Sequence, residues 1–241
     1  MSGGDDARNV QVAEAYDRWH TAQGQHEEEI SAPWHFLATP HLPDPLVGLR
    51  VLEAGCGRGA FSRHLAERGA RVMGVDISPA AAAMTRDALA PFDGCTAIDA
   101  SIEALPFPDD SFDLVVSLDT LEHVFEPERA VAELVRVLRP GGRLVVTTSN
   151  YLSLVGLWRL AMRLVGRRYT EAGQPVNQPL LAFPRKRQLV ELGCRVVAID
   201  GCGHYLRMPR TDYGYVRLRF LDHARPITKW FGTHRLVAAD K

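Results

Sequence analysis

Two stretches of the chain carry residue types that could do chemistry together. The first is Val51-Leu52-Glu53-Ala54-Gly55-Cys56-Gly57-Arg58-Gly59. Its aliphatics read as the end of a buried strand, its three alternate glycines as a tight turn, and Ala60 to Glu67 as the opening of a helix. Such a strand-to-helix turn lets a ligand lie against bare backbone and a helix N-terminus. Seventeen residues beyond Gly59, a second apolar run, Val72-Met73-Gly74-Val75, ends in Asp76. An acid at that strand tip can accept both hydroxyls of a ribose, so the pair points to a nucleotide-like ligand. The second stretch is Asp119-x-x-Glu122-His123, which follows a strongly apolar run. An imidazole among carboxylates can take a proton or join in holding a metal ion.

The segments around these stretches alternate in character. Phe112 to Ser117 and Arg143 to Thr148 read as buried strands, and Cys95 to Ile98 as a short strand ending at Asp99. Ser78-Pro79 starts an alanine-rich helix running to about Ala90. Pro127 to Leu138 reads as another helix, closed by Arg139-Pro140-Gly141-Gly142. Strands alternating with helices over residues 49–148 predict an α/β fold with a parallel, doubly wound sheet. Its ligand then lies beyond the carboxyl ends of the strands, where Glu53, Asp76 and Asp119 fall. Ahead of this core, residues 1–9 read as a frayed tail, and Val12, Ala13, Tyr16 and Trp19 recur at helical spacing. Thr21 to Gly48 is rich in His, Pro and Glu. Beyond Asn150, residues 152–168 form an apolar stretch with arginines at helical spacing, followed by a loop from Glu171 to Pro184. A helix over Arg185 to Leu192, a strand over Cys194 to Asp200, an insertion from His204 to Gly232 and a last strand from Thr233 to Ala239 complete the chain.

Composition bounds the class. The 241 residues suit one α/β domain of ordinary size. With 28 basic and 29 acidic residues the net charge is −1, which offers no electrostatic footprint for nucleic acid. Cys56, Cys95, Cys194 and Cys202 show no metal-type pairing, as in a reduced intracellular protein. No apolar signal core opens the chain and no run reaches the roughly 18 residues of a membrane span, so the expected location is cytoplasmic. The apolar stretch 152–168 could touch a membrane surface, but a cover over the active site or a homodimer face is the preferred explanation.

The glycine turn preceded by Glu53 resembles the first motif of the class I methyltransferases that use S-adenosylmethionine. Gly55-x-Gly57-x-x-Ala60 also fits a loose dinucleotide fingerprint. Glu53, however, would repel a pyrophosphate and favour a cationic amino acid. Two further stretches strengthen the resemblance: Leu105-Pro106-Phe107-Pro108-Asp109 leading into Phe112-Asp113-Leu114-Val115-Val116, and Leu138-Arg139-Pro140-Gly141-Gly142 before a strand. It covers residues 49–150 closely, the last strands loosely and the N-terminal lid only by position. It implies a seven-stranded Rossmann-like sheet with the last strand antiparallel beside the fifth. Residues 1–48 become a tail and lid helices, and 49–241 a methyltransferase domain with substrate-facing insertions at about 151–184 and 203–232.

The site residues follow from the same resemblance. Glu53, Gly55, Cys56, Gly57 and Gly59 would meet the methionine portion, Asp76 the ribose, and Ile77 the adenine. Leu118 and Asp119 would close the far side, with Tyr16 in the lid. Ser101-Ile102 stands where the family usually has Asp-Ala, so Asp99 or Ser101 would hold the adenine amino group, with Ile102 packing on the ring. Asp119-x-x-Glu122-His123 is similar to the acid-x-x-Glu-His of ubiquinone-biosynthesis O-methyltransferases, where these positions are linked to a divalent metal. That family usually has Glu where this chain has Asp119. His123, with Glu122 and Asp119, is thus the candidate base or metal site. The implied acceptor is a small, hydrophobic molecule bearing a hydroxyl, a quinone precursor or secondary metabolite, and the implied product is S-adenosylhomocysteine. Transfer to nitrogen or carbon is the alternative. An NAD-dependent dehydrogenase and a non-catalytic cofactor-binding protein are remoter ones.

Overall fold

The computed structural model describes residues 3–22, 33–150, 152–164, 186–203, 205–207, 215–217 and 231–241. Helices α1 (Gly3–Ala22) and α2 (Pro33–Ala38) precede β1 (Arg50–Ala54), α3 (Ala60–Glu67), β2 (Arg71–Asp76), α4 (Pro79–Leu89) and β3 (Thr96–Asp99). Then come β4 (Phe112–Leu118), α5 (Pro127–Val137), β5 (Leu138–Ser149), α6 (Leu154–Leu164), α7 (Lys186–Glu191) and β6 (Arg195–Cys202). A ribbon of β7 (Tyr205–Arg207) and β8 (Tyr215–Arg217) leads to β9 (His234–Asp240). The main sheet has seven strands in the order β3-β2-β1-β4-β5-β9-β6. The first five are parallel, and β9 runs antiparallel between β5 and β6. The expected doubly wound sheet with an antiparallel last strand is what the chain forms.

Alternation within the strands divides the core in two. Leu52 of β1, Val115 of β4, Leu144 and Val146 of β5, and Val237 of β9 face α5 and α7 through Ala130, Val131, Leu134 and Leu189. Val51, Leu114, Val116, Val145 and Leu236 face α2, α3 and α4 through Leu37, Phe61, Leu65 and Leu89. With both faces covered, each strand reads as a continuous apolar run rather than an alternating one. On α3, Phe61, Ser62, Leu65 and Ala66 are buried on one stripe, which sets that helix against the sheet.

The Leu-Pro-Phe-Pro-Asp stretch is a structural clamp. Arg136 on α5 donates to the carbonyls of Leu105 (3.0 Å) and Phe107 (2.8 Å) and to Asp109 (2.7 Å). Glu133 in turn accepts from the Leu105 amide at 2.8 Å. Phe107 packs edge-on against Phe112 with ring centres 5.1 Å apart. These bonds fix the entry to β4, and hence the position of its far end.

Several boundaries differ from the sequence expectation; the last strand, for one, runs from His234 to Asp240. Residues 3–9 belong to α1 rather than to a frayed tail. Neither proline nor a β-branched residue opposes a helix before Val10. Helix α5 stops at Val137, before the glycine pair, because Arg139 precedes Pro140 and cannot stay helical. The chain is therefore extended from Leu138, which already pairs with Phe112. Finally, β6 runs to Cys202, two residues beyond Asp200, because β9 keeps pairing that far. The loop expected over Glu171 to Pro184 and the residue His204 lie outside the described residues. Among the described residues no helix is long and apolar enough to cross a membrane.

Candidate active site

The glycine turn is built on Val75 and Asp76. The amides of Gly55 and Cys56 both donate to the Val75 carbonyl, at 2.7 and 3.0 Å. The Gly57 amide donates to Oδ2 of Asp76 at 3.0 Å, and the Ser78 amide to Oδ1 at 2.9 Å. From the other side, Thr85 of α4 donates to the Gly57 carbonyl at 3.0 Å. The buried Glu53 accepts a hydrogen bond from the Ser62 hydroxyl, tying the end of β1 to the first turn of α3. Cys56 is buried and its thiol is pushed well up by burial, so this residue serves the turn through its backbone. Gly55 has φ +82°, and a Cβ there would lie 2.2 Å from Oγ1 of Thr120. At Gly55 and Gly59 the turn therefore leaves no space for a side chain, Thr120 and Thr85 lying against the bare backbone of this cradle.

Helix α1 closes over this cradle. Oδ1 of Asp17 accepts from the Ser78 hydroxyl at 3.0 Å and from the Ala80 amide at 2.8 Å. Arg58, within the turn, donates to the His20 carbonyl at 2.7 Å. His20 is buried close enough to Asp76 for each to feel the other's charge. Burial lowers the His20 pKa against the pull of Asp76, and burial raises that of Asp76 against the Ser78 amide, His20 and the Gly57 amide. Nδ1 of His20 has no hydrogen-bond partner among the described residues. Tyr16, one turn earlier, is buried with its ring centre 6.2 Å from that of His123. Two residues picked out from sequence thus meet across the mouth of the site. Replacing Asp17 by Ala removes a cap-like partner of α4 worth about 1 kcal/mol. Limited proteolysis within α1 should then quicken about fivefold, with little change in the unfolding of the sheet. An unchanged cleavage rate would show that α1 is held by other contacts.

Beyond β4 the three expected residues divide their tasks. Asp119 has φ +49°, a left-handed backbone that a non-glycine residue adopts only under constraint. Its amide donates to the carbonyl of Thr147 at 3.1 Å and to the hydroxyl of Thr147 at 3.0 Å. That hydroxyl donates back to Oδ1 at 3.1 Å, while Oδ2 stands 2.7 Å from Nδ1 of His234. Burial would raise the Asp119 pKa, but His234, the Thr147 hydroxyl and His123 together hold it below the usual carboxylate range. Glu122 is buried, accepting from the Thr148 hydroxyl at 2.9 Å and the Ser149 amide at 2.8 Å. It clamps the end of β5. His123 closes a turn through its amide to the Thr120 carbonyl at 2.9 Å and faces Tyr16.

A divalent metal does not fit these three side chains as they stand. The oxygens of Glu122 are committed to β5, and those of Asp119 to Thr147 and His234. Among the described residues no group of three or more His, Cys, Asp or Glu side chains could hold a metal ion.

The adenine end is less crowded. Asp99 pairs in register with Asp76 and is exposed at the tip of β3. The Ser101 hydroxyl accepts from the Glu103 amide at 3.2 Å. Ile102 is sunk in the core with Leu52 and Val75 rather than lining the mouth. Ile77 is half-buried just beyond Asp76, and Leu118 is buried on the α2–α3 face.

Sequence reasoning missed two histidines. His234 begins β9 and lies in register with Ser149 on one side and Cys202 on the other. His35 on α2 is buried, stacks on Phe61 with ring centres 4.9 Å apart, and feels the charge of Asp119. Neither has a local motif; only the topology brings them to Asp119. Burial lowers the His35 pKa to about 4, against the attraction of Asp119 and with help from His64. As pH falls below 6.5 the unfolded chain takes this proton first, so stability should be full near neutrality and decline towards pH 4. The loss attributable to His35 is about 3 kcal/mol. His20, lowered in the same direction, adds to it. Urea unfolding at pH 7 and pH 4.5 should therefore show a smaller drop for His35→Phe than for the wild type. Equal drops would refute the buried, neutral His35.

Residues 52–146 match the family described as a methyltransferase domain. The chain is 38% identical over 136 residues to a demethylmenaquinone methyltransferase of Clavibacter sepedonicus, covering 56% of this chain and 54% of the relative. It is 38% identical over 112 residues to a ubiquinone biosynthesis O-methyltransferase of Idiomarina loihiensis, covering 44% of this chain and 45% of the relative. The chain spans about half the length of the curated relatives it matches. In fold it is similar to a methyltransferase solved in complex with the Haloferax volcanii Trm112 methyltransferase activator. That likeness has a TM-score of 0.68 at 20% identity, over 95% of this chain and 96% of that one. The glycine turn, the acid-tipped second strand and the antiparallel β9 are all in place in a fold similar to that solved methyltransferase, and within it residues 52–146 match the methyltransferase domain.

Proposed function

We propose that the protein transfers a methyl group from S-adenosylmethionine to a hydroxyl oxygen of a small, hydrophobic acceptor, releasing S-adenosylhomocysteine. One observation carries the reading. At the carboxyl edge of the parallel strands, a turn with bare backbone at Gly55 and Gly59 is anchored by Asp76 and roofed by His20, whose Nδ1 lacks a partner among the described residues. A bare cradle, an acid and an unpartnered buried nitrogen fit a nucleoside joined to an amino acid. Bound there, S-adenosylmethionine would supply an electrophilic methyl group with a good leaving group.

The chain's own residues would bind and orient. Gly55, Cys56, Gly57 and Gly59 offer backbone to the methionine portion, with Glu53 keeping the turn and α3 together. Asp76 would offer its carboxylate to the ribose, Ile77 would border the adenine, and Asp99, exposed at the tip of β3, or Ser101, whose hydroxyl accepts from the Glu103 amide, would take the adenine amino group. Helix α1, through Tyr16, Asp17 and His20, would exclude water as a lid, and residues 49–241 would supply the transferase body. Alignment of acceptor and methyl carbon in such a closed site can lower the barrier by roughly 7 to 11 kcal/mol. A hydroxyl acceptor is supported by the carboxylate and imidazole groups beyond β4, and a quinone-like one by the names of the two curated relatives.

The test is methyl transfer from isotope-labelled S-adenosylmethionine to catechol and to 1,4-naphthohydroquinone. The expected result is label in an O-methyl ether. Label only on carbon, or only on an added amine, would overturn the oxygen assignment.

A further inference from the structure

We propose that His234, held by the carboxylate of Asp119, is the base that takes the proton of the acceptor hydroxyl. The inference rests on the preceding reading that a hydroxyl is methylated. His234 lies outside residues 52–146, the stretch that matches the methyltransferase family, and outside every motif in the sequence.

Three features of the geometry support it. First, Nδ1 of His234 stands 2.7 Å from Oδ2 of Asp119, with the His234 side chain 11% exposed and that of Asp119 15%. A carboxylate on one ring nitrogen fixes the tautomer of an imidazole base and stabilises the imidazolium that forms when it takes a proton. Second, Asp119 is itself held. Its left-handed backbone and its carboxylate are both tied to Thr147, so the acid has little freedom to turn away. Backbone held in such a conformation gathers at functional sites. Third, the register sets this pair at the carboxyl edge of the sheet. His234 faces Ser149, the last residue of β5, and Asp119 directly follows β4. That is the edge at which the glycine turn and Asp76 stand, and α2 brings His35 to the same acid.

With Nδ1 engaged by Asp119, proton uptake falls to Nε2. The acceptor's O–H bond breaks and its proton goes to Nε2. The electron pair left on oxygen forms the new bond to the methyl carbon, whose bond to sulfur breaks with its pair staying on sulfur. An ether, a neutral thioether and an imidazolium paired with Asp119 result; the imidazolium then returns its proton to water. The titratable and charged groups around His234 that would shape its pH dependence are Asp119 and His123 beyond β4, His35 on α2, Cys202 across β6, and Arg235 beside it on β9.

The experiment compares wild type, His234→Gln, His234→Ala and Asp119→Asn with catechol as the probe acceptor, in four readouts: thermal unfolding, calorimetric binding of S-adenosylhomocysteine, turnover against pH, and ¹⁵N-histidine NMR. Both His234 variants should bind S-adenosylhomocysteine within about threefold of wild type while kcat falls roughly 100-fold or more. The pH dependence of kcat should flatten, and added imidazole should restore part of the turnover of His234→Ala. In the NMR spectrum the wild type should show one imidazole protonated at Nδ1 and bonded to a carboxylate, a signal altered in Asp119→Asn. Wild-type turnover in His234→Gln, or no such imidazole signal, overturns the proposal while leaving methyl transfer to oxygen intact. A wild type that binds S-adenosylhomocysteine but methylates no hydroxyl overturns both. If His234→Ala fails to fold, His234→Gln and the NMR signal decide the matter.

Discussion

Asp76→Ala is expected to weaken S-adenosylhomocysteine binding roughly 10²- to 10⁴-fold. A carboxylate accepting two ribose hydroxyls makes two charge-assisted hydrogen bonds, each worth roughly 1.5 to 3 kcal/mol, and every 1.4 kcal/mol is a factor of ten. The residue has a second task, because its oxygens also accept the Gly57 and Ser78 amides. Alanine therefore removes the anchor of the turn as well as the ligand contact, and the upper end of the range reflects both. Asp76→Asn separates them. It retains an acceptor oxygen for one amide but loses the charge and the acceptor for the other, so both its affinity and its stability should fall between those of wild type and alanine. Calorimetric titration of the three proteins makes the comparison. Wild-type affinity in Asp76→Ala would remove the ribose assignment.

Gly55→Ala should cost roughly 2 to 5 kcal/mol of folding stability. The backbone has φ +82°, where a Cβ costs about 1 to 2 kcal/mol. That Cβ would also lie 2.4 Å from Cγ2 and 2.8 Å from Cβ of Thr120, and overpacking of this kind adds typically 1 to 3 kcal/mol. Rotation of Thr120 cannot relieve the clash with its own Cβ, so the loop after β4 must shift, and with it Asp119. Gly48→Ala is the control. Gly48 has φ +77°, but a Cβ at that position would meet nothing within 4 Å, so only the backbone cost remains. Denaturant unfolding should place Gly55→Ala clearly below Gly48→Ala. Equal losses would mean that the cradle is looser than its geometry implies.

Much of this architecture was legible in the residues. The apolar runs ending in Glu53-Ala54, Asp76 and Leu118 are parallel strands whose tips share one edge, and Val51-Leu52 and Leu144-Val145 are buried on both faces as such runs require. Helical spacing placed Tyr16 on a helix and the family resemblance placed that helix in the lid; Tyr16 meets His123. What the sequence hid depends on long-range pairing. His234 looks like an isolated histidine between Thr233 and Arg235. Only the antiparallel slot of β9, which sets it against Ser149, brings it to Asp119. A last strand expected beside the fifth was signal enough to ask which residues stand at its beginning, and that question finds His234. Glu122, whose place in Asp-x-x-Glu-His suggests a part in a base or metal site, has a backbone task that the motif does not show: it accepts from Thr148 and Ser149 and closes the end of β5. Ile102, expected against the adenine, is buried in the core cluster that holds Leu52 and Val75.

The central claim is that the turn from Gly55 to Gly59, with Asp76, binds the nucleoside and amino-acid ends of a methyl donor. Calorimetric titration of the wild-type protein with S-adenosylhomocysteine tests it most directly. The account predicts saturable, single-site binding in the micromolar range, about −8 kcal/mol, that Asp76→Ala abolishes or reduces by at least two orders of magnitude. A folded protein that gives no binding heat at several temperatures, and no thermal stabilisation by the same ligand, would contradict it.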